Sequence, residues 1–219
     1  CVDFLSDIFN NSLLLEESFE RQRKVIKQES TMKQDNPDDL LDRRLLSMLY
    51  PGQATGRTIF DEEHHLPHMS RDIILGYQAR SYCAENFVFC VGGNITEEQA
   101  LLLGDKYFAA IRRGKELEIE PAQLVDHEVV EFINKPSKQA RIRIVFPGFI
   151  SFTRKEKIAS VLATLLGGMP SSRLYISLRH NLHLVYTVRA LHHTFFDTGY
   201  MHISTNFDEN KLQEVVDAI

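Results

Sequence analysis

The stretches Val185-Tyr186-Thr187-Val188-Arg189-Ala190-Leu191 and Gly199-Tyr200-Met201-His202-Ile203-Ser204-Thr205 decide the fold class. Both are short and rich in β-branched and aromatic residues, with a turn around Asp197 between them, so they read as a pair of strands. Just upstream the spacing becomes helical: Arg154–Leu166 reads as a helix broken by Gly167-Gly168, and Ser172–His180 as a shorter one. Downstream, Asp208 stands where it can cap a last helix, Glu209–Ile219. Further out, Glu128–Ile133 and Arg141–Phe146 alternate or run apolar as strands. Ahead of them Arg112–Asp126 is charged, holds Pro121 and shows little apolar period, which suits a linker.

The part before that linker is mostly helical. Phe4, Leu5, Ile8 and Phe9 mark an opening amphipathic helix that Asn10-Asn11-Ser12 ends. A long polar helix follows from Glu16 to Lys33, with the thin apolar stripe Phe19, Val25, Ile26 and Met32. Asn36-Pro37-Asp38-Asp39 starts another: a cap, a proline in the first turn, and acids facing the positive dipole end. It continues through Leu49, and Gln53–Met69 is irregular. Ser70 can cap a helix over Arg71–Ala79, Phe87–Val91 reads as a short strand, and Thr96 with Gln99 forms a capping box ahead of Glu97–Phe108. Strands and helices are partly segregated, which predicts an α+β layered fold rather than a doubly wound parallel sheet. The composition shifts divide the chain into residues 1–113, a linker 114–127, and residues 128–219.

Composition excludes several classes. With 219 residues and 43% apolar side chains, the chain is neither disordered, collagen-like nor a disulfide scaffold. A net charge of -5 argues against a protein built to hold nucleic acid. The longest apolar runs, such as Ile158–Leu166, fall far short of the roughly 20 residues of a membrane span. Cys1, Cys83 and Cys90 lack C-x-x-C spacing and read as small buried apolar groups in a reducing compartment; the cysteines do not settle the localisation, for which an intracellular, cytoplasmic place is the favoured expectation. The chain opens inside a helix, without Met or a signal-peptide pattern, and reads as a fragment.

Four places can carry chemistry. Glu29 has Val25 and Ile26 at i−4 and i−3 and Met32 at i+3. A carboxylate in an apolar stripe is costly unless paired or metal-bound. Periodicity alone favours a salt-bridged or edge-exposed acid there. His64, His65 and His68 crowd one loop and His180 and His183 stand at i, i+3, but Pro67 interrupts the first group. His192, His193 and His202 fall on strands, where 192 and 193 face opposite sides and do not chelate together. Arg179 and Tyr186 flank a helix-to-strand turn; a guanidinium and a phenol aimed at one point can donate to a developing oxyanion. Gly167-Gly168 lets a backbone approach closely, or is simply a helix end and turn.

Several stretches fall together in order. Leu166-Gly167-Gly168-Met169-Pro170-Ser171-Ser172-Arg173-Leu174-Tyr175 resembles the LGGG-x-x-SRL segment of the pitrilysin/insulinase family, the inverted zincin metallopeptidases. Leu178-Arg179 followed by Leu184-Val185-Tyr186-Thr187-Val188 is similar to its LRE-x-x-GLAYSV segment. Glu20-Arg21-Gln22-Arg23-Lys24-Val25-Ile26-Lys27-Gln28-Glu29 resembles the helix that bears the third zinc ligand. Asp35-x-Pro37, Gly56-Arg57-x-Ile59 with Glu62-Glu63, and Phe146-Pro147-Gly148 complete the collinear match.

The resemblance implies two homologous α+β halves, both incomplete in this chain. One carries HxxEH and a distal Glu, and the other faces it across a cleft. It implies a Zn2+-dependent endopeptidase of the short processing-peptidase type, acting on unfolded peptides or presequences held as added strands. Glu29 takes the place of the distal zinc ligand, Arg179 and Tyr186 that of the oxyanion pair, and Gly167-Gly168 that of the glycine-rich loop beside substrate. A homodimer or heterodimer is implied too. The departures are HxxEH, which is absent and expected upstream of Cys1, Gln22 in place of an acid, His180 in place of Glu, and His183 in place of Gly. Without HxxEH, this stretch alone is expected neither to hold zinc nor to be active. A subunit of the same family that has lost catalysis and serves as a binding or structural partner is the alternative.

Overall fold

The structure is a computed structural model that describes residues 1–57 and 65–219. Ile59, Glu62, Glu63 and His64, named above, lie outside the described residues. In chain order the elements are α1 (Val2–Asn10), α2 (Glu16–Asp35), α3 (Pro37–Leu49), α4 (Arg71–Ser81), α5 (Glu97–Phe108), β1 (Ala140–Pro147), α6 (Arg154–Gly167), a π-helix (Tyr175–Asn181), β2 (Val185–Thr194), β3 (Gly199–Phe207) and α7 (Leu212–Ala218). Helices and an antiparallel sheet make the fold α+β, as the segregation of patterns predicts. No described helix is long and apolar enough to cross a membrane.

The local start signals act as read. Asn36 accepts the Asp38 amide at 3.0 Å, Ser70 accepts that of Ile73 at 3.3 Å, and Thr96 and Gln99 close a reciprocal capping box. Asp208 does not act as expected. Its side chain caps nothing, because Tyr186 takes the carboxylate; a 3₁₀ turn over Glu209–Lys211 precedes α7.

Chain contacts cluster into two compact units, Cys1–Thr31 with Phe60–Glu120, and Met32–Ile59 with Pro121–Ile219. The first unit is held by rings. Phe9 stacks on Tyr82 with centroids 5.2 Å apart and tilts against Phe87 at 4.8 Å, and Phe108 touches Phe87 and Phe89. An apolar groove runs beside them, lined by Leu5, Ile8, Ile74 and Tyr77 among others. Phe87–Val91 pairs with no strand among the described residues; alternate side chains go to the ring cluster while Val88 stays exposed, so an extended conformation forms without a ladder. Cys83 is buried, but Cys1 and Cys90 are exposed, against the expectation for all three.

The second unit is a three-stranded sheet in the order β1-β3-β2, both pairings antiparallel, from Ala140↔Phe207 to Pro147↔Tyr200 and from Val185↔Phe207 to Thr194↔Gly199. One face carries Val188, Ala190, Ile203 and Phe207 into a core closed by Ala163 of α6, Leu174, Leu178 and Val215 of α7. The other face is polar. On β1, Arg143 reaches Asp38 at 2.9 Å and Asp42 at 3.0 Å of α3, and Arg141 reaches Asp38 at 3.3 Å. On β2 and β3, His193, Tyr200 and His202 stack as a ladder of rings. His192 points the other way, its Nε2 accepting the Phe149 amide at 3.1 Å, as strand alternation requires. Glu128–Ile133, read as a strand, is irregular: Val130 and Phe132 are exposed, and Glu131 is drawn off to Arg44 at 2.5 Å.

Candidate functional site

Glu29 lies on α2 with its side chain exposed. The apolar stripe around it is not a buried face, since Val25 and Met32 are also exposed. The helix does pair acids within itself: Glu17 with Arg21 at 2.8 Å and Glu20 with Arg23 at 2.9 Å. Among the described residues Glu29 joins no such pair, and its exposed carboxylate is open to a ligand or to water. A catalytic zinc takes three protein ligands. Among the described residues no three His, Cys, Asp or Glu side chains converge to hold a metal ion. The described residues therefore do not by themselves fit a zinc ion, and Glu29 can contribute one donor.

Arg179 and Tyr186 sit on two irregularities. Arg179 belongs to the π-helix Tyr175–Asn181, where Ser172–His180 reads in sequence as an ordinary helix. Its guanidinium lies 5.2 Å from the Tyr175 ring centroid, a cation–π contact that leaves its donors exposed. The π-helix ends through Leu182, whose amide bonds the Ser177 carbonyl at 3.0 Å. His183 follows in a left-handed conformation, φ 52°, a region that favours glycine. Its ring Nδ1 bonds the Arg179 carbonyl at 3.2 Å, and its own carbonyl accepts Lys211 Nζ at 3.2 Å.

Tyr186 is the extra residue of a β-bulge. Val185 pairs with Phe207 and Thr187 with Asn206, so 186 has no cross-strand partner. The Asn206 side chain fills the gap, accepting the Thr187 amide at 2.9 Å and the Thr187 hydroxyl. The bulge turns the Tyr186 ring outward, half-exposed, where its hydroxyl donates to Asp208 Oδ1 at 2.7 Å. That bond, together with the Asp208 charge, pushes the phenol pKa up, so Tyr186 keeps its proton through neutral pH. Arg179 on the π-helix and Tyr186 on the bulge of β2 thus belong to the same unit, the first with its donors exposed and the second with its proton held by Asp208.

Gly167 closes α6 rather than breaking it. A Cβ there would stand 2.4 Å from the Ala190 amide nitrogen, so this glycine lets α6 lie directly on β2. Gly168 caps the helix, its amide bonding the Thr164 carbonyl at 2.9 Å. Among the described residues the histidines form no chelating group, and His64 lies outside them. His65 precedes and His68 ends a 3₁₀ turn, and His180 packs its ring 5.3 Å from Tyr175.

Sequence reasoning did not find Asp208 and Asn206 as partners of this region, nor the bulge itself. A bulge is visible only when one strand is counted against another.

The sequence model described as "Insulinase (Peptidase family M16)" matches residues 1–63, and that described as "Peptidase M16 inactive domain" matches residues 68–219. An uncharacterized zinc protease of Rickettsia bellii is 30% identical over 211 residues, covering 95% of this chain and 50% of that protein. The β subunit of the mitochondrial-processing peptidase of Neurospora crassa is 32% identical over 111 residues, 51% of this chain and 23% of its own length. A crystal structure of a peptidase M16 inactive domain from Pseudomonas fluorescens superposes with TM-score 0.85 at 20% identity, over 99% of this chain and 54% of that one. The chain spans about half the length of the full-coverage relatives it matches. With both family models in register along one chain, and the fold shared, this chain belongs to the insulinase family of peptidases, M16.

Proposed function

We propose that this chain is part of a zinc-dependent endopeptidase that cleaves unfolded peptides or presequences. The observation that supports the reading is that Arg179 stands exposed on a π-helix and Tyr186 half-exposed on a β-bulge, two local irregularities in the segment the family resemblance points to. Such irregularities cost regular hydrogen bonding and concentrate where side chains must be aimed. Zinc, when bound in the whole protein, would supply the Lewis acidity for peptide hydrolysis. Glu29 gives one ligand, with the remaining ligands and the base from an HxxEH segment outside these 219 residues. Arg179 brings a fixed positive charge and Tyr186 a neutral O–H to the oxyanion of the tetrahedral intermediate. The glycine segment from Gly167-Gly168 borders the substrate. Residues 1–113 belong to the zinc-binding half, 114–127 link, and 128–219 open the second half. The protein acts inside the cell and works as a homodimer or heterodimer, in keeping with a relative named as a β subunit.

The test is the protein from its full coding sequence, assayed for metal content and for hydrolysis of an unstructured peptide. Tyr186→Phe and Arg179→Ala should each lower kcat by about 10²-fold, the usual cost of one oxyanion donor. Glu29→Gln should lower zinc content. Full activity in all three variants would overturn the proposal.

A second reading, a non-catalytic partner subunit, is favoured by one observation. The matched model over residues 68–219 is that of an inactive domain. An intact HxxEH upstream, with stoichiometric zinc, separates the two.

A further inference from the structure

Tyr186 faces a mechanical problem. As the bulge residue it has no cross-strand neighbour, and its ring is half-exposed, so neither the ladder nor packing fixes where the hydroxyl points. A donor free to swing loses much of its effect on a reaction, because misplacement by about 1 Å can cost 10²-fold. Among the described residues the hydroxyl has one hydrogen bond, to Asp208 Oδ1 at 2.7 Å.

Asp208 is well placed to give that bond direction. It follows directly on Phe207, which is fully buried and pairs with Val185, so its backbone is anchored in the core opposite the bulge. Its own carbonyl accepts the Lys211 amide at 2.9 Å, which fixes the turn. Lys211 in turn fastens the His183 carbonyl, and the His183 ring fastens that of Arg179. One short turn after β3 therefore holds both ends of the segment from Arg179 to Tyr186. The residue also stands at the start of a 3₁₀ turn, where an aspartate ordinarily caps, yet its side chain is spent on the phenol instead.

We infer that Asp208 is a positioning residue for Tyr186, fixing the direction of the phenol from across the bulge. This rests on the reading of Tyr186 as an oxyanion donor. The phenol has one proton. At rest it points at Asp208, and a developing oxyanion replaces the carboxylate as its acceptor by a rotation about the C–O bond, with the ring kept in place. Asp208 touches no reacting atom.

The experiment uses the full-length protein with Asp208→Ala, Asp208→Asn and Tyr186→Phe. A tyrosine-selective NMR titration, with the Tyr186 signal assigned by its loss in Tyr186→Phe, reads the contact without catalysis. The Tyr186 midpoint should fall in both Asp208 variants, since the charge leaves in both. In peptide hydrolysis, Asp208→Ala should lower kcat by roughly tenfold with KM unchanged, part of the 10²-fold loss of complete misplacement. Asp208→Asn should recover most of that loss, because its amide oxygen still accepts in the same place. An unmoved Tyr186 midpoint, a kcat unchanged in Asp208→Ala, or an equal loss in Ala and Asn variants would each overturn the inference. Full activity in Tyr186→Phe would instead overturn the parent reading, and the titration would still report the contact.

Discussion

His202 gives the sharpest prediction. It is buried on the polar sheet face, stacked on His193 with centroids 5.0 Å apart, and its Nδ1 meets no partner among the described residues. Burial foremost, with the charges of His193 and Arg143 adding and Asp42 opposing, pushes its pKa down from 6.5 to about 4. The folded state thus keeps the ring neutral where an unfolded chain takes up a proton. Stability from this site is complete above pH 6.5 and drains away as pH falls toward 4. At pH 5 the unfolded imidazole is roughly thirtyfold protonated and the folded one is still mostly neutral, a difference of about 2 kcal/mol. His193, shifted down mainly by burial, adds in the same direction. Urea unfolding followed by circular dichroism, at pH 7 and pH 5, on wild type and His202→Leu, measures it. The wild type should lose about 2 kcal/mol more than the variant across that interval. Equal losses would refute the reasoning, and so would a histidine NMR titration placing His202 near 6.5.

Three further expectations concern packing and capping. Gly167→Ala should cost about 1–3 kcal/mol, seen as a lowered melting temperature, because the new methyl meets β2 backbone that cannot step aside. Phe207→Ala removes a fully buried ring between sheet and helices and should cost about 3–5 kcal/mol in urea unfolding. Thr96→Ala should cost about 1 kcal/mol and speed hydrogen exchange in the first turn of α5.

What the sequence shows clearly is whatever is settled within a few residues. Asn36, Ser70 and Thr96 each satisfy an amide two or three positions on, and helical spacing marks α6 before any neighbour is known. The hairpin around Asp197 is legible for the same reason. Phe87–Val91 and Glu128–Ile133 misled because alternation describes a side-chain pattern, while a strand needs a partner. Candidate residues 29, 179 and 186 stood out through collinear resemblance, not local physics. Their settings did not: Tyr186 finds Asp208 across 22 positions, just as elsewhere on the sheet Arg143 finds Asp38 across 105. Contacts that far apart are products of topology. The π-helix leaves no mark that a 3.6-residue period can detect.

Within these residues the middle strand of the sheet is made after both of its neighbours. β1 leaves the ribosome first, then β2, and neither has a neighbour until Gly199–Phe207 emerges between them. During synthesis both earlier strands wait with open edges and an uncovered oily face, the condition under which nascent chains stick to one another. A chain cut just short of Gly199 would leave β1 and β2 each without the neighbour they share, whereas one that runs past Phe207 can pair both.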